Sequence, residues 1–184
     1  MQSSELINIL QIKTQQIIAR VENLKNKDFT TLQWRDNNES WNILECLEHL
    51  NLYGDFYLPK IERKIAKSKE KSCIEFKSGF LGKYFAESMI KEDDKKFKTF
   101  KNKNPINKIL DRSTLDKFIN QQYKLLELLK LSRDINLNKI KIDTSFSIFI
   151  KLKLGDIFQF LVNHHLRHLN QIDRILIHYK ANTH

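Results

Sequence analysis

Three histidines have the type and spacing to hold a metal ion. His164 and His168 stand four residues apart in Asn163-His164-His165-Leu166-Arg167-His168-Leu169-Asn170-Gln171-Ile172. On a helix that spacing puts both on one face, one turn apart. At about 100° per residue, Ile157, Leu161, Gln171, Ile172 and Ile175 point within about 80° of the pair. The two imidazoles therefore interrupt an apolar stripe that should face the core. A buried polar group without a partner costs roughly 1–3 kcal/mol, and a shared cation satisfies both nitrogens at once. His-x3-His on a helix is a recurrent two-ligand platform. The same spacing also suits two imidazoles that each keep a hydrogen bond of their own. His49 is the third candidate, in Ser40-Trp41-Asn42-Ile43-Leu44-Glu45-Cys46-Leu47-Glu48-His49-Leu50. It too sits among leucines at helical spacing, so two facing helices would bring three imidazoles together. Structural zinc is closed by four protein ligands, whereas three leave a position for water or substrate, the catalytic arrangement.

Neighbouring side chains offer supporting chemistry. Glu45 lies one turn before His49 and can bind a ligating imidazole or act as a base; a structural hydrogen bond is the alternative. Gln171, three residues after His168, can orient water or a ligand. Glu45 and Gln171 are the candidate catalytic groups. Arg167 is turned some 60° from His164 and suits a substrate carboxylate or a structural acid such as Asp156 or Glu48. His165 is turned about 100° from His164 and is expected to be structural or to act from behind the ligands. Cys46 is expected to be a small buried hydrophobe. Asp173 should be solvated, and Trp34 and Trp41 should be packing residues.

Four amphipathic segments must position these groups. The first runs from Glu5 to about Lys25, capped by Ser3 or Ser4, with Leu6, Ile9, Leu10, Ile17, Val21 and Leu24 on one stripe. Asn26 to Glu39 reads as a polar loop. The second helix starts near Ser40-Trp41, with Ser40 or Asn38 as its cap. Its interior Pro59 predicts a kink or break near Tyr57, because proline removes an N–H and clashes with the preceding turn. The segment resumes to about Ser68. Phe76, Phe80, Leu81, Tyr84 and Phe85 suggest an aromatic cluster, with a short helix over Phe80 to Met89. Lys91 to Lys103 carries six lysines and reads as a solvated loop. The third helix starts at Ser113 or Thr114 and ends at Leu131. Asn136 to Ile142 and Ser145 to Leu154 alternate as short strands or extended connectors. The fourth helix runs from Gly155-Asp156 to about Tyr179. Four such segments point to an all-α four-helix bundle.

The motifs Trp41-xxx-Glu45-xxx-His49-Leu50 and His164-xx-Arg167-His168-xx-Gln171-Ile172 together resemble the DinB-like superfamily of metal-dependent enzymes. The start of the first helix, the Pro59 region, the loop from Lys98-Thr99 to Pro105 and Leu154-Gly155-Asp156 fit the same pattern. The resemblance implies an up-down-down-up four-helix bundle with a divalent metal, nickel or zinc, held by His49, His164 and His168. It implies a homodimer, and a small-molecule substrate that is hydrolysed or conjugated to a low-molecular-weight thiol.

Composition narrows the rest. A chain of 184 residues suits a single domain over residues 1–184. Four glycines and two prolines are too few for the tight turns of a many-stranded sandwich or barrel. The hydrophobic fraction of 41% opposes disorder. No apolar run is long enough to span a membrane, and the first residues do not read as a signal peptide. Two cysteines without a CxxC fit a reducing cytoplasm. The net charge of +10 comes from lysines spread along the chain, so no specific nucleic-acid partner is expected. Phosphate-loop, GxSxG and HExxH motifs are lacking, which removes nucleotide hydrolysis and serine-hydrolase chemistry from consideration.

Overall fold

The first helix, α1 (Ser3–Leu24), buries Leu6, Leu10, Ile17, Val21 and Leu24 of the stripe read from the sequence, together with Ile7 and Ile18, while Ile9 of that stripe is only half-buried. In this computed structural model residues 1–90, 99–145, 147 and 149–183 are described. No serine side chain caps α1. Gln2 is the cap residue, and the Ser3 N–H donates instead to the Ile74 carbonyl at 2.9 Å. A distant stretch of backbone thus satisfies the first free N–H of the helix.

The supposed loop after α1 contains a short helix, α2 (Phe29–Gln33). Asp28 starts it, its carboxylate accepting from the Thr31 N–H at 2.6 Å and the Thr31 hydroxyl at 2.8 Å. Helix α3 (Ile43–Ala66) begins two to three residues after the expected Ser40-Trp41 start. Asn42, rather than Ser40 or Asn38, caps it through a reciprocal box with Glu45, which satisfies two free donors at once. Pro59 does not end α3. Leu58, Ile61 and Ile65 are buried on either side of it, and that apolar contact outweighs one missing N–H.

Helix α4 (Phe80–Ser88) falls where the short helix was expected, and of the expected aromatic cluster Tyr84 and Phe85 meet edge-on at 5.6 Å between rings. Phe76 is buried, whereas Phe80, Leu81 and Tyr84 are exposed. Small residues, Gly82 and Ala86, make the buried side of α4. A Cβ on Gly82 would come within 2.2 Å of the Asp156 carboxylate, so only glycine allows this approach. The expected solvated loop falls mostly on residues 91–98, outside the described residues. Its last residue, Lys103, is buried and closes a short 3-10 turn.

Helix α5 (Ser113–Leu131) matches its expected span and buries Leu115, Phe118, Ile119, Leu125, Leu128 and Leu129. Strands β1 (Lys141–Asp143) and β2 (Lys151–Lys153) pair antiparallel, with Ile142 opposite Leu152 and both turned inward. Helix α6 (Leu154–Thr183) completes the chain. Helices α1 and α3 each pack on both α5 and α6, while α4 lies against α6. The structure is mostly helical with one small two-stranded sheet among the described residues. Its buried apolar side chains form one cluster that includes Ile17, Leu47, Phe118, Phe158 and Leu161. No helix among the described residues is long and apolar enough to cross a membrane.

Candidate metal centre

Helix α3 supplies His49 and α6 supplies His164 and His168, and the packing of α3 on α6 turns them toward each other. The Nε2 atom of His164 lies 3.1 Å from Nε2 of His49 and 3.0 Å from Nε2 of His168. One ligand atom from each of the three lies within 4.8 Å of the others. His49 and His164 are buried and His168 is half-buried. The inward leucine stripe of α3 and the inward stripe of α6 therefore carry three imidazoles to one place.

The opposite ring nitrogens fix which atoms face inward. His49 Nδ1 lies 2.7 Å from the Lys103 carbonyl, which only accepts, so that nitrogen donates. His168 Nδ1 donates to Gln171 Oε1 at 2.9 Å. Both Nε2 atoms are then bare lone pairs. Burial pushes the His49 imidazole down to about 4 and the His168 imidazole down to about 3. Burial drives His164 well below its ordinary value, helped by the neighbouring imidazoles and Arg167. All three are therefore neutral, and each carries a single N–H. If that proton sits on His164 Nε2, it aims at one of two waiting acceptors. If it sits on Nδ1, three lone pairs face one another, and His164 Nδ1 is buried without a hydrogen-bond partner. One cation among the Nε2 atoms would take up the facing lone pairs and fix His164 as the Nδ1–H tautomer, with that N–H still buried and unpartnered. With bonds of about 2.0–2.1 Å, ligand nitrogens stand about 3.3 Å apart around a tetrahedral ion and about 2.9 Å apart on an octahedral face. The observed spacings of 3.0 and 3.1 Å lie between these values. The three-histidine cluster could hold a metal ion, its ligand atoms all lying within 4.8 Å of one another.

Residues 9–172 match the family model of the DinB superfamily. The chain belongs to the DinB superfamily. That span takes in all three imidazoles, Glu45 and Gln171. No curated protein and no solved structure gives a significant match.

In this DinB superfamily member the walls of the cluster include residues that the sequence reading passed over. Trp41, taken as a packing residue, sets its ring 4.8 Å from that of His49 and 5.8 Å from that of His168. Its indole N–H donates to Asn104 Oδ1 at 3.0 Å. The Tyr53 ring lies 4.7 Å from His164 and 5.0 Å from His49, and Phe160 lies 5.4 Å from His164. Burial pushes the Tyr53 phenol up to about 12, so it stays neutral. Tyr53 and Phe160 are each one helical turn from a histidine, a spacing that marks them in the sequence. Lys103 reaches the site through its backbone carbonyl, which carries no residue-type signal at all.

Glu45 is fully buried, and its carboxylate turns to the start of α3. It accepts from the Asn42 N–H at 2.9 Å and the Asn107 N–H at 2.6 Å, and pairs with Arg35 at 3.0 Å. Gln171 touches His168 directly. Cys46 is buried, and burial raises its thiol pKa beyond the reach of neutral pH, as befits a small apolar residue. His165 stands apart from the cluster against Phe118, at 5.4 Å between rings. Asp173 is exposed and pairs with Arg20 at 2.7 Å, and Trp34 packs edge-on against Tyr179. Asp156 accepts from Ser78 and from the Gly79 N–H, while Glu48 pairs with Lys108 at 3.5 Å.

Proposed function

We propose that the protein holds one divalent metal, nickel or zinc, on Nε2 of His49, His164 and His168. We propose further that it turns over a small electrophilic substrate, by hydrolysis or by conjugation to a low-molecular-weight thiol. The observation that carries this reading is the convergence of three neutral imidazole nitrogens, two of them aimed by acceptors on their opposite ring atoms. When bound, the cation supplies Lewis acidity to a water or thiol that reaches its open position. The chain's own part is placement and exclusion of water. Gln171 aims His168, the Asn42–Glu45 box fixes the helix that carries His49, and Trp41, Tyr53 and Phe160 line the cluster with apolar rings. The half-buried His168 marks the side from which a small molecule approaches.

The wider picture follows the same reading. The packing of α1 and α3 on both α5 and α6 supports one domain with the up-down-down-up four-helix order. The free thiols of Cys46 and Cys73 are in keeping with the cytoplasm, and the exposed apolar residues of α4 with a homodimer.

A second reading is a non-catalytic bundle that binds a metal or small ligand. The burial of His49 and His164 favours it. So does the position of an open groove of about 600 Å³, lined by Asn8, Gln11, Ile12, Leu126 and Lys130 and by none of the three histidines. A panel of electrophilic substrates, assayed with and without a thiol, separates the two. Turnover that disappears on chelation and in His168→Ala supports the enzyme. Turnover that survives both removes the metal from the chemistry, and a loaded protein inert across the panel supports the binding module.

A further inference from the structure

Lys103 is a buried lysine whose surroundings are unusual for an ammonium. Its Nζ donates to the Leu52 carbonyl of α3 at 2.5 Å and lies 5.3 Å from the centre of the Tyr53 ring and 5.5 Å from that of Phe56. No carboxylate forms an ion pair with it among the described residues. Ordering a lysine side chain costs roughly 1.5–2 kcal/mol of rotamer entropy, and taking an ammonium out of water adds to that. A surface lysine would avoid both costs, so the position itself must matter. What the position delivers is the carbonyl of the same residue, which accepts from His49 Nδ1. The next residue, Asn104, holds the Trp41 indole against His49 and His168.

We propose that Lys103 is a positioning residue for His49: its side chain ties the turn at 101–103 to α3, so that its own carbonyl holds His49 as the Nδ1–H tautomer with Nε2 bare. The tether and the acceptor belong to one residue, and both meet α3 close together, at Leu52 and His49. Without the tether the turn keeps its own Lys103 N–H to Phe100 carbonyl bond and the flanking bonds of Asn104 to Trp41 and of Asn107 to Glu45, but no side chain of the turn itself reaches α3, and the Lys103 carbonyl drifts from the imidazole. His49 then samples both tautomers, and the one with a protonated Nε2 cannot ligate through that atom. An acceptor behind a ligating histidine is ordinarily worth about 10–100-fold in metal affinity. The metal part of this inference rests on the reading of His49 as a ligand; the tautomer part does not.

The test is nitrogen NMR of the full chain labelled with 15N-histidine, as purified and after chelation, beside a zinc titration. Wild type, Lys103→Met and Lys103→Arg are compared. Methionine keeps the apolar stem without a donor, while arginine can still donate to the Leu52 carbonyl and stack on Tyr53 and Phe56. In the wild type His49 should be protonated at Nδ1 only. Lys103→Met should show mixed tautomers and bind zinc about 10-fold more weakly, and Lys103→Arg should restore both. A Lys103→Met protein with the wild-type tautomer and affinity overturns the proposal. So does a wild-type His49 protonated at Nε2, a result that needs no variant to fold. If the wild type binds no zinc yet Lys103→Met still mixes the tautomers, the tether stands and the metal reading falls.

Discussion

The Nδ1 atom of His168 donates to Gln171 Oε1 at 2.9 Å across a single turn of α6, and this turns Nε2 of His168 toward His164. Gln171, chosen from the sequence to orient water or a ligand, accepts a hydrogen bond from the His168 imidazole. Gln171→Leu should therefore weaken metal binding by about 10–100-fold with little loss of helix content. Gln171→Glu, which still accepts from Nδ1, should keep the affinity. Competition with a coloured chelator measures both.

Glu45 belongs to the start of α3, so its removal should read as instability. Asn42→Ala should cost about 1 kcal/mol, the usual worth of a cap. Glu45→Ala strips the partner from two backbone N–H groups and from Arg35, and should cost more, on the order of 2–4 kcal/mol. Urea unfolding of the two variants checks the order. A Glu45→Ala protein as stable as wild type would contradict this placement.

Buried neutral histidines also give the metal-free protein a defined response to acid. Burial holds His49 at about 4 and His165 and His168 at about 3, each below an ordinary 6.5. Below about pH 6.5 the unfolded chain takes up protons that the folded chain refuses. Stability is therefore full above that pH and is lost as pH falls toward 3–4. Each such group removes up to about 1.4 kcal/mol per pH unit within that window. The urea midpoint of chelated protein should drop clearly between pH 7.5 and pH 5, and an unchanged midpoint would contradict the burial of these rings.

Periodicity made the long helices legible, because the burial of Leu115, Phe118 and Leu125 or of Ile157, Leu161 and Ile172 follows the 3.6-residue repeat. Helix starts were less legible, since a cap is a contest among neighbouring polar residues. Asn42 wins over Ser40 because Glu45 answers it three residues on, and α1 takes its partner from backbone near Ile74. Pro59 does not break α3, which runs on to Ala66 with buried apolar residues on either side of the proline. Phe80, Leu81 and Tyr84 stay exposed because the seam between α4 and α6 is filled by the small residues Gly82 and Ala86. At the site, the three histidines stood out as polar breaks in apolar stripes. Trp41 and Lys103 did not, because one is placed through Asn104 and the other acts through its main chain.

The central claim, one metal on three imidazoles, meets its most direct test in metal analysis of protein purified without an affinity tag. The wild type should carry or take up close to one divalent transition-metal ion per chain. His49→Ala, His164→Ala and His168→Ala should each lose it, and His165→Ala, which alters the ring packed against Phe118, should keep it. Equal metal content in all four variants, or a wild type that binds none, would contradict the account.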